Sequence, residues 1–208
     1  ITDPELAATA VKLGAHYVGI MMYNLSKRYV NLNTAKTIAA HVTRAGGIPV
    51  GVFVDTPAHE IKSSCQLCDI NVVQLHGDIS RRGHQYLPES LQRIYVLHVN
   101  DDGTINADTT HGLEYLDNQR DMLLFDGLKG GSGRVFNHNK FSYHGKIPFL
   151  CAGGLNPDNV STAIVTMRPY GVDVSSGVEN AHGVKDKTLI KQFINNVNQS
   201  VNHVKYST

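Results

Sequence analysis

Short apolar runs alternate along this chain with segments whose apolar residues recur every three or four positions. The runs read as buried strands and the periodic segments as helices laid over them. The chain opens on a helix: Thr2 and Glu5 have capping-box spacing, Pro4 suits a first turn and Gly14 an end, and Leu6, Ala7, Ala10 and Val11 share one face. Strands are then expected at 17–23, 48–54, 70–75, 94–99, 122–125, 147–151 and 171–174. Helices are expected at 34–44, from a cap at Thr56 and Pro57 to about Leu67, and at 80–87, 111–118, 156–167 and 186–201, with a short helix near 137–143. Apolar strands alternating with helices imply a parallel sheet covered on its faces. The expectation is an α/β protein with a (β/α)8 TIM barrel as a single domain over residues 1–208. The opening helix has no strand before it. An open sheet would expose two edge strands, so the first strand is expected in a segment just before Ile1, missing from this sequence.

Composition narrows the classes. The 208 residues are 41% hydrophobic and carry 19 Lys+Arg against 18 Asp+Glu. A net charge of +1 argues against a dedicated nucleic-acid binder. No apolar run approaches the ~20 residues of a membrane span. The opening ITDPELAATA lacks the basic and apolar regions of a signal peptide, so the expectation is a soluble cytoplasmic protein. Cys65 and Cys68 form a CxxC late in a helical segment with no second pair to complete a metal site, and Cys151 stands alone. Cys65 and Cys68 read as unreactive helix cysteines. The eleven histidines show no metal-ligand spacing, and no metal is expected.

In a barrel of this kind the chemistry sits at the C-terminal ends of the strands. Asp126 follows the apolar residues 122–125 and leads into a loop with glycines at 127, 130, 131 and 133. It is either a carboxylate aimed at a crevice, beside glycines that let backbone N–H groups approach a ligand, or the start of a turn. Arg28 lies in the loop after the 17–23 strand, as a ligand group or a solvated charge. His76 ends the 70–75 strand, as a pocket residue or one bonded only to its neighbours. Gly153 and Gly154 follow the next-to-last strand, and Ser175, Ser176 and Gly177 follow the last. Small loops in both slots fit a phosphate grip made by backbone N–H groups. Asp173, inside the last strand, reads as a site residue or as a structural carboxylate.

The stretches SKRYV (26–30), VGVFV (50–54), VVQLHG (72–77), D…GGSG…F (126–136), AGGLNPDNV (152–160), GVDVSSGVE (171–179) and GVKD (183–186) together resemble the phosphoribosylanthranilate isomerase family. The resemblance runs over nearly the whole chain. It implies an isomerase of tryptophan biosynthesis that carries out an Amadori rearrangement of N-(5-phosphoribosyl)anthranilate without cofactor or metal. By the family pattern Asp126 matches the general acid and Arg28 the partner of the anthranilate carboxylate, while His76 lines the substrate site. Gly153, Gly154, Asp173, Ser175, Ser176 and Gly177 match the phosphate and ribose region. The family's general base is a cysteine in a Cys-Gly pair at the end of its first strand, a position that falls immediately before Ile1. None of Cys65, Cys68 or Cys151 inherits that role by motif. Residues 21–25 (MMYNL) also depart from the family, which more often has an aromatic and a proline there. The implied partner is a small phosphorylated molecule, not nucleic acid or membrane, with indole-glycerol-phosphate synthase as a pathway neighbour and a monomer or homodimer both open. Two other readings stand beside it. One is another sugar-phosphate barrel enzyme such as indole-glycerol-phosphate synthase, which wants a lysine at a strand end. The other is a catalytically silent member that binds phosphosugars or serves as a scaffold.

Overall fold

The computed structural model describes residues 1–127 and 136–206, the last five of these as backbone only. Its strands are β1 (Tyr17–Met21), β2 (Ile48–Val54), β3 (Val72–His76), β4 (Gln92–Val99), β5 (Met122–Gly127), β6 (Phe149–Cys151) and β7 (Gly171–Val172). They follow chain order in one parallel sheet. The helices are α1 (Pro4–Leu13), α2 (Leu32–Arg44), α3 (Ala58–Cys68), α4 (Gly77–Gly83), α5 (Val160–Met167) and α6 (Lys187–Tyr206). Strand–helix alternation with a parallel sheet is the arrangement the sequence predicts. No helix of the described residues is long and apolar enough to cross a membrane. Gly130, Gly131 and Gly133, expected in a ligand loop, lie outside the described residues.

Local chemistry sets the boundaries, and several differ from expectation. The cap of α1 is Asp3, not Thr2: its carboxylate accepts from the Leu6 N–H at 2.6 Å, and Gly14 closes the helix with φ 118°. Asn31 starts α2 early by accepting from the Thr34 N–H at 2.9 Å. Thr56 does not cap α3, because its hydroxyl turns back to the Val54 carbonyl. The helix expected at 80–87 begins at Gly77 and ends in a 3-10 turn at His84–Tyr86. Only Leu113–Tyr115, one 3-10 turn, forms where a helix was expected at 111–118, after Gly112 in the left-handed region (φ 81°). No helix forms at 137–143, where Phe141 and Tyr143 stack instead on Phe125 at centroid distances of 4.8 and 5.2 Å. Burial of aromatic area outweighs a turn of helix there.

The chain forms two compact units: Ile1–Val96 with Thr109–Asp121, and Leu97–Asp108 with Met122–Thr208. The core of the first lies between β1–β3 and their helices, with Ile20, Ile38, Phe53, Ile61, Val73 and Leu75 at most 1% exposed. Beside it lies a buried charge network. Asp121, fully buried, accepts from the backbone N–H of Arg93 (2.9 Å) and of Asp117 (3.0 Å) and from Nε of Arg120 (3.0 Å). The Arg93 guanidinium in turn donates to the Leu87 and Leu91 carbonyls. Burial pushes the Asp121 carboxyl up, but the Arg120 and backbone donors outweigh it and hold the group below the usual carboxylate range. In the second unit, Phe125, Phe141, Tyr143 and Phe149 form an aromatic cluster. Asn196 ties α6 to the Pro157 carbonyl at 2.8 Å.

Replacing Asp121 with Ala strands buried donors and the Arg93 charge. It is expected to destabilise the fold by ~3–5 kcal/mol, measured by urea unfolding at pH 7. Because the folded-state pKa is lowered, this contribution is present above the unfolded value and is lost as pH falls through the folded one. The difference between wild type and variant should therefore shrink in acid, and a constant difference would refute the assignment.

Candidate active site

The site is built within the second unit from the tips of β5, β6 and β7. Parallel pairing sets Phe125 beside Cys151 and Cys151 beside Val172. One residue on, the Ala152 N–H donates to the Phe125 carbonyl and the Asp173 N–H to the Cys151 carbonyl, each at 2.8 Å. This register brings Asp126, Ala152 and Asp173 to one level, where they line a pocket with Gly153, Gly154, Leu155, Ser175 and Ser176. Asp126 belongs to β5 itself, one residue before its end.

The glycines are there for sterics. Gly153 and Gly154 take φ of 86° and 70°, a region costly for side chains. A Cβ on Gly153 would sit 2.7 Å from the Gly127 nitrogen and 3.1 Å from Asp126 Oδ1. One on Gly177 would strike the Leu155 carbonyl oxygen. Gly177 therefore packs the 3-10 turn Ser176–Val178 directly on the loop after β6. That loop is fixed by its own side chains. Asn156 Oδ1 accepts from the N–H groups of Asp158 (2.8 Å) and Asn159 (3.1 Å), and the Asn159 amide donates to the Gly154 carbonyl at 3.0 Å. These turns delay the start of α5 to Val160. Loops of such small residues let backbone N–H groups approach an anion closely.

Electrostatics separates the two carboxyl groups from ordinary surface acids. Burial and the charge of Asp173 push the Asp126 carboxyl up to about 7, against the opposing Gly127 N–H. Burial raises Asp173 as well, opposed by the Lys185 ammonium and the Val174 N–H. A carboxyl that keeps its proton near neutrality is able to serve as a general acid.

Lys185 and Glu179 were not among the residues expected here. Nζ of Lys185 donates to the Ser175 carbonyl (2.7 Å), to its hydroxyl (3.3 Å) and to Glu179 Oε1 (2.9 Å). Its only signal in the sequence was the GVKD stretch at 183–186. Cys151 lies at the level of the pocket but faces away, its sulfur 3.4 Å from that of Met167, and burial pushes its thiol up to about 12. Cys65 and Cys68 are buried on α3, the former likewise pushed up to about 12 by burial.

Arg28 and His76 belong to the first unit. Arg28 is half-buried in the loop between β1 and α2, its N–H donating to Ser26 Oγ at 3.1 Å. His76 is the last residue of β3, not the one after it, and its Nε2 lies 2.7 Å from the Gln74 amide nitrogen.

A family model described as N-(5'phosphoribosyl)anthranilate (PRA) isomerase matches residues 1–196. The N-(5'-phosphoribosyl)anthranilate isomerase 1, chloroplastic, of Arabidopsis thaliana is 38% identical over 198 residues, which cover 93% of this chain and 71% of the relative. The crystal structure of phosphoribosyl anthranilate isomerase from Thermotoga maritima aligns with a TM-score of 0.78 at 34% identity, covering 96% of each chain. A phosphoribosyl anthranilate isomerase in complex with reduced 1-(o-carboxyphenylamino)-1-deoxyribulose 5-phosphate aligns with a TM-score of 0.76 at 32% identity, covering 96% of this chain and 95% of that one.

The raised Asp126 pKa has a thermodynamic signature. With ~3.9 in the unfolded chain and about 7 in the fold, the folded state binds more protons between those values. Stability therefore falls as pH rises from about 4 to about 7. Asp126→Asn should remove that slope, matching wild type near pH 4 and exceeding it by on the order of 1–3 kcal/mol at about pH 8. Thermal unfolding at the two pH values checks this, and an equal difference at both would show that Asp126 ionises normally.

Proposed function

Because this chain belongs to the N-(5'-phosphoribosyl)anthranilate isomerase family, we propose that the pocket between Asp126 and Asp173 is where its reaction takes place. The reaction is the Amadori rearrangement of N-(5-phosphoribosyl)anthranilate to 1-(2-carboxyphenylamino)-1-deoxyribulose 5-phosphate, a step of tryptophan biosynthesis. One observation supports this reading: Asp126, a carboxyl whose pKa burial raises, lines the same pocket as Gly153, Gly154, Ser175 and Ser176. Acid and anion cradle thus stand together, as a phosphorylated sugar requires.

Asp126 donates its proton to the furanose ring oxygen, and the ring opens to a Schiff base. Removal of the C2 proton gives an enolamine, which tautomerises to the ketone. The thiols of Cys65, Cys68 and Cys151 line no part of the pocket, and the base is not assigned to them. The N–H groups of Gly153, Gly154, Ser176 and Gly177 hold the phosphate, and Asp173 accepts from the ribose and sustains the proton on Asp126. By the family pattern Arg28 matches the residue that meets the anthranilate carboxylate, for which its guanidinium fork is suited, and His76 matches one that lines the substrate site. The partner is the small phosphorylated substrate, handled by a soluble cytoplasmic monomer or homodimer beside indole-glycerol-phosphate synthase in the same pathway.

Turnover is followed as the fluorescence loss of freshly made phosphoribosylanthranilate. Asp126→Asn should lower kcat by ~10²-fold or more with the far-UV circular dichroism unchanged, and retained activity would remove Asp126 from the acid's role. In the wild type, kcat/KM should fall as pH rises through about 7, where Asp126 loses its proton. Arg28→Ala should instead raise KM by ~10-fold with kcat little changed. An unaltered KM would take Arg28 out of the substrate site.

A further inference from the structure

The loop after β7 contains a desolvated ion pair that the proposed reaction does not use. Side chains of Lys185 and Glu179 are 11% and 6% exposed and meet at 2.9 Å. They face one another because residues 179–185 fold back as a short hairpin. Glu179 and Lys185 form an antiparallel bridge, the Asn180 N–H donates to the Val184 carbonyl at 2.8 Å, and Gly183 turns with φ 73°. The hairpin returns the lysine to Ser175, ten residues earlier. Its ammonium donates to both the carbonyl and the hydroxyl of that serine.

Ser175 is the hinge of the anion cradle. Its backbone is neither helical nor extended (φ −117°, ψ −89°), and it immediately precedes the 3-10 turn Ser176–Val178. The Val178 N–H bonds back to the Ser175 carbonyl at 3.3 Å, so that oxygen serves the turn and the lysine together. On its other side the turn rests on Leu155 through Gly177. The turn is thus gripped between a backbone stop and a charged tether.

We infer that Lys185 is a positioning residue for the phosphate end of the substrate, holding Ser175 so that the Ser176 and Gly177 N–H groups stay directed at the anion. Glu179 offsets the lysine's charge at the buried position, and the tether to Ser175 is made by hydrogen bonds. The inference rests on the isomerase reading for the identity of the substrate, though not for the anion.

Kinetics of Lys185→Met with freshly made phosphoribosylanthranilate test it. KM should rise about tenfold or more, a larger factor than any fall in kcat, since the hydrogen bonds of Lys185 go to Ser175 and Glu179 and none goes to Asp126. A KM within about twofold of wild type, or a loss confined to kcat, overturns the inference. The single variant leaves Glu179 buried without its partner, a change that itself destabilises. The double variant Lys185→Met/Glu179→Gln removes both charges and should keep the raised KM. If it restores the wild-type KM, Lys185 merely compensates Glu179 and the inference fails. Absence of turnover in the wild-type chain would sink the isomerase reading separately. Calorimetry with inorganic phosphate then still decides the role of Lys185: a Kd about tenfold weaker in the double variant supports it, and an equal Kd refutes it.

Discussion

Two carboxyl groups facing a single half-buried pocket are the constraint on which the rest of the site depends. Asp126 and Asp173 lie at the tips of β5 and β7, and both are drawn above the ordinary carboxylate range by burial. Two negative charges there would repel across a medium that screens them poorly. The arrangement resolves this by keeping a proton on Asp126 near neutrality and a cation, Lys185, near Asp173. Burial first, and the charge of Asp173 second, thus keep the Asp126 carboxyl protonated further up the pH scale than an exposed aspartate.

The contrast with Asp121 shows that environment sets these roles, not residue type. Asp121 stands immediately before β5 and Asp126 near its end. Asp121 is the more deeply buried by solvent exposure, yet its carboxyl is held low, since arginine and backbone donors surround it. Asp126 accepts from the Gly127 N–H and faces another carboxyl. Donors thus outweigh burial at Asp121, whereas burial and a neighbouring carboxyl outweigh the Gly127 N–H at Asp126.

Backbone sterics and side-chain tethers shape the loops beside the pocket. Gly153 has no room for a Cβ beside Asp126, and Gly177 none beside Leu155. Asn156 and Asn159 fix the loop after β6, while Lys185 fixes the one after β7. Neither loop relies on a long helix for its shape, which fits β6 and β7 being only three and two residues long.

Much of this was legible in the residue order. The apolar run at 48–54 is β2, and Gly153, Gly154, Ser175 and Ser176 line the pocket together with Asp126 and Asp173. Periodicity and strand-end position suffice for such features, because side-chain alternation and loop placement follow from local backbone geometry. Other features depended on partners distant in sequence. The segment 137–143 gave up a helix to stack aromatics on Phe125, Thr56 turned its hydroxyl away from α3, and Cys151 rotated toward Met167. Lys185 and Glu179 entered the site only because a hairpin returns one to the other and to Ser175. Residue order thus determined which groups stand at the strand tips. Tertiary structure alone decided their protonation and their tethers, because desolvation and charge proximity arise only when segments far apart in the chain come together.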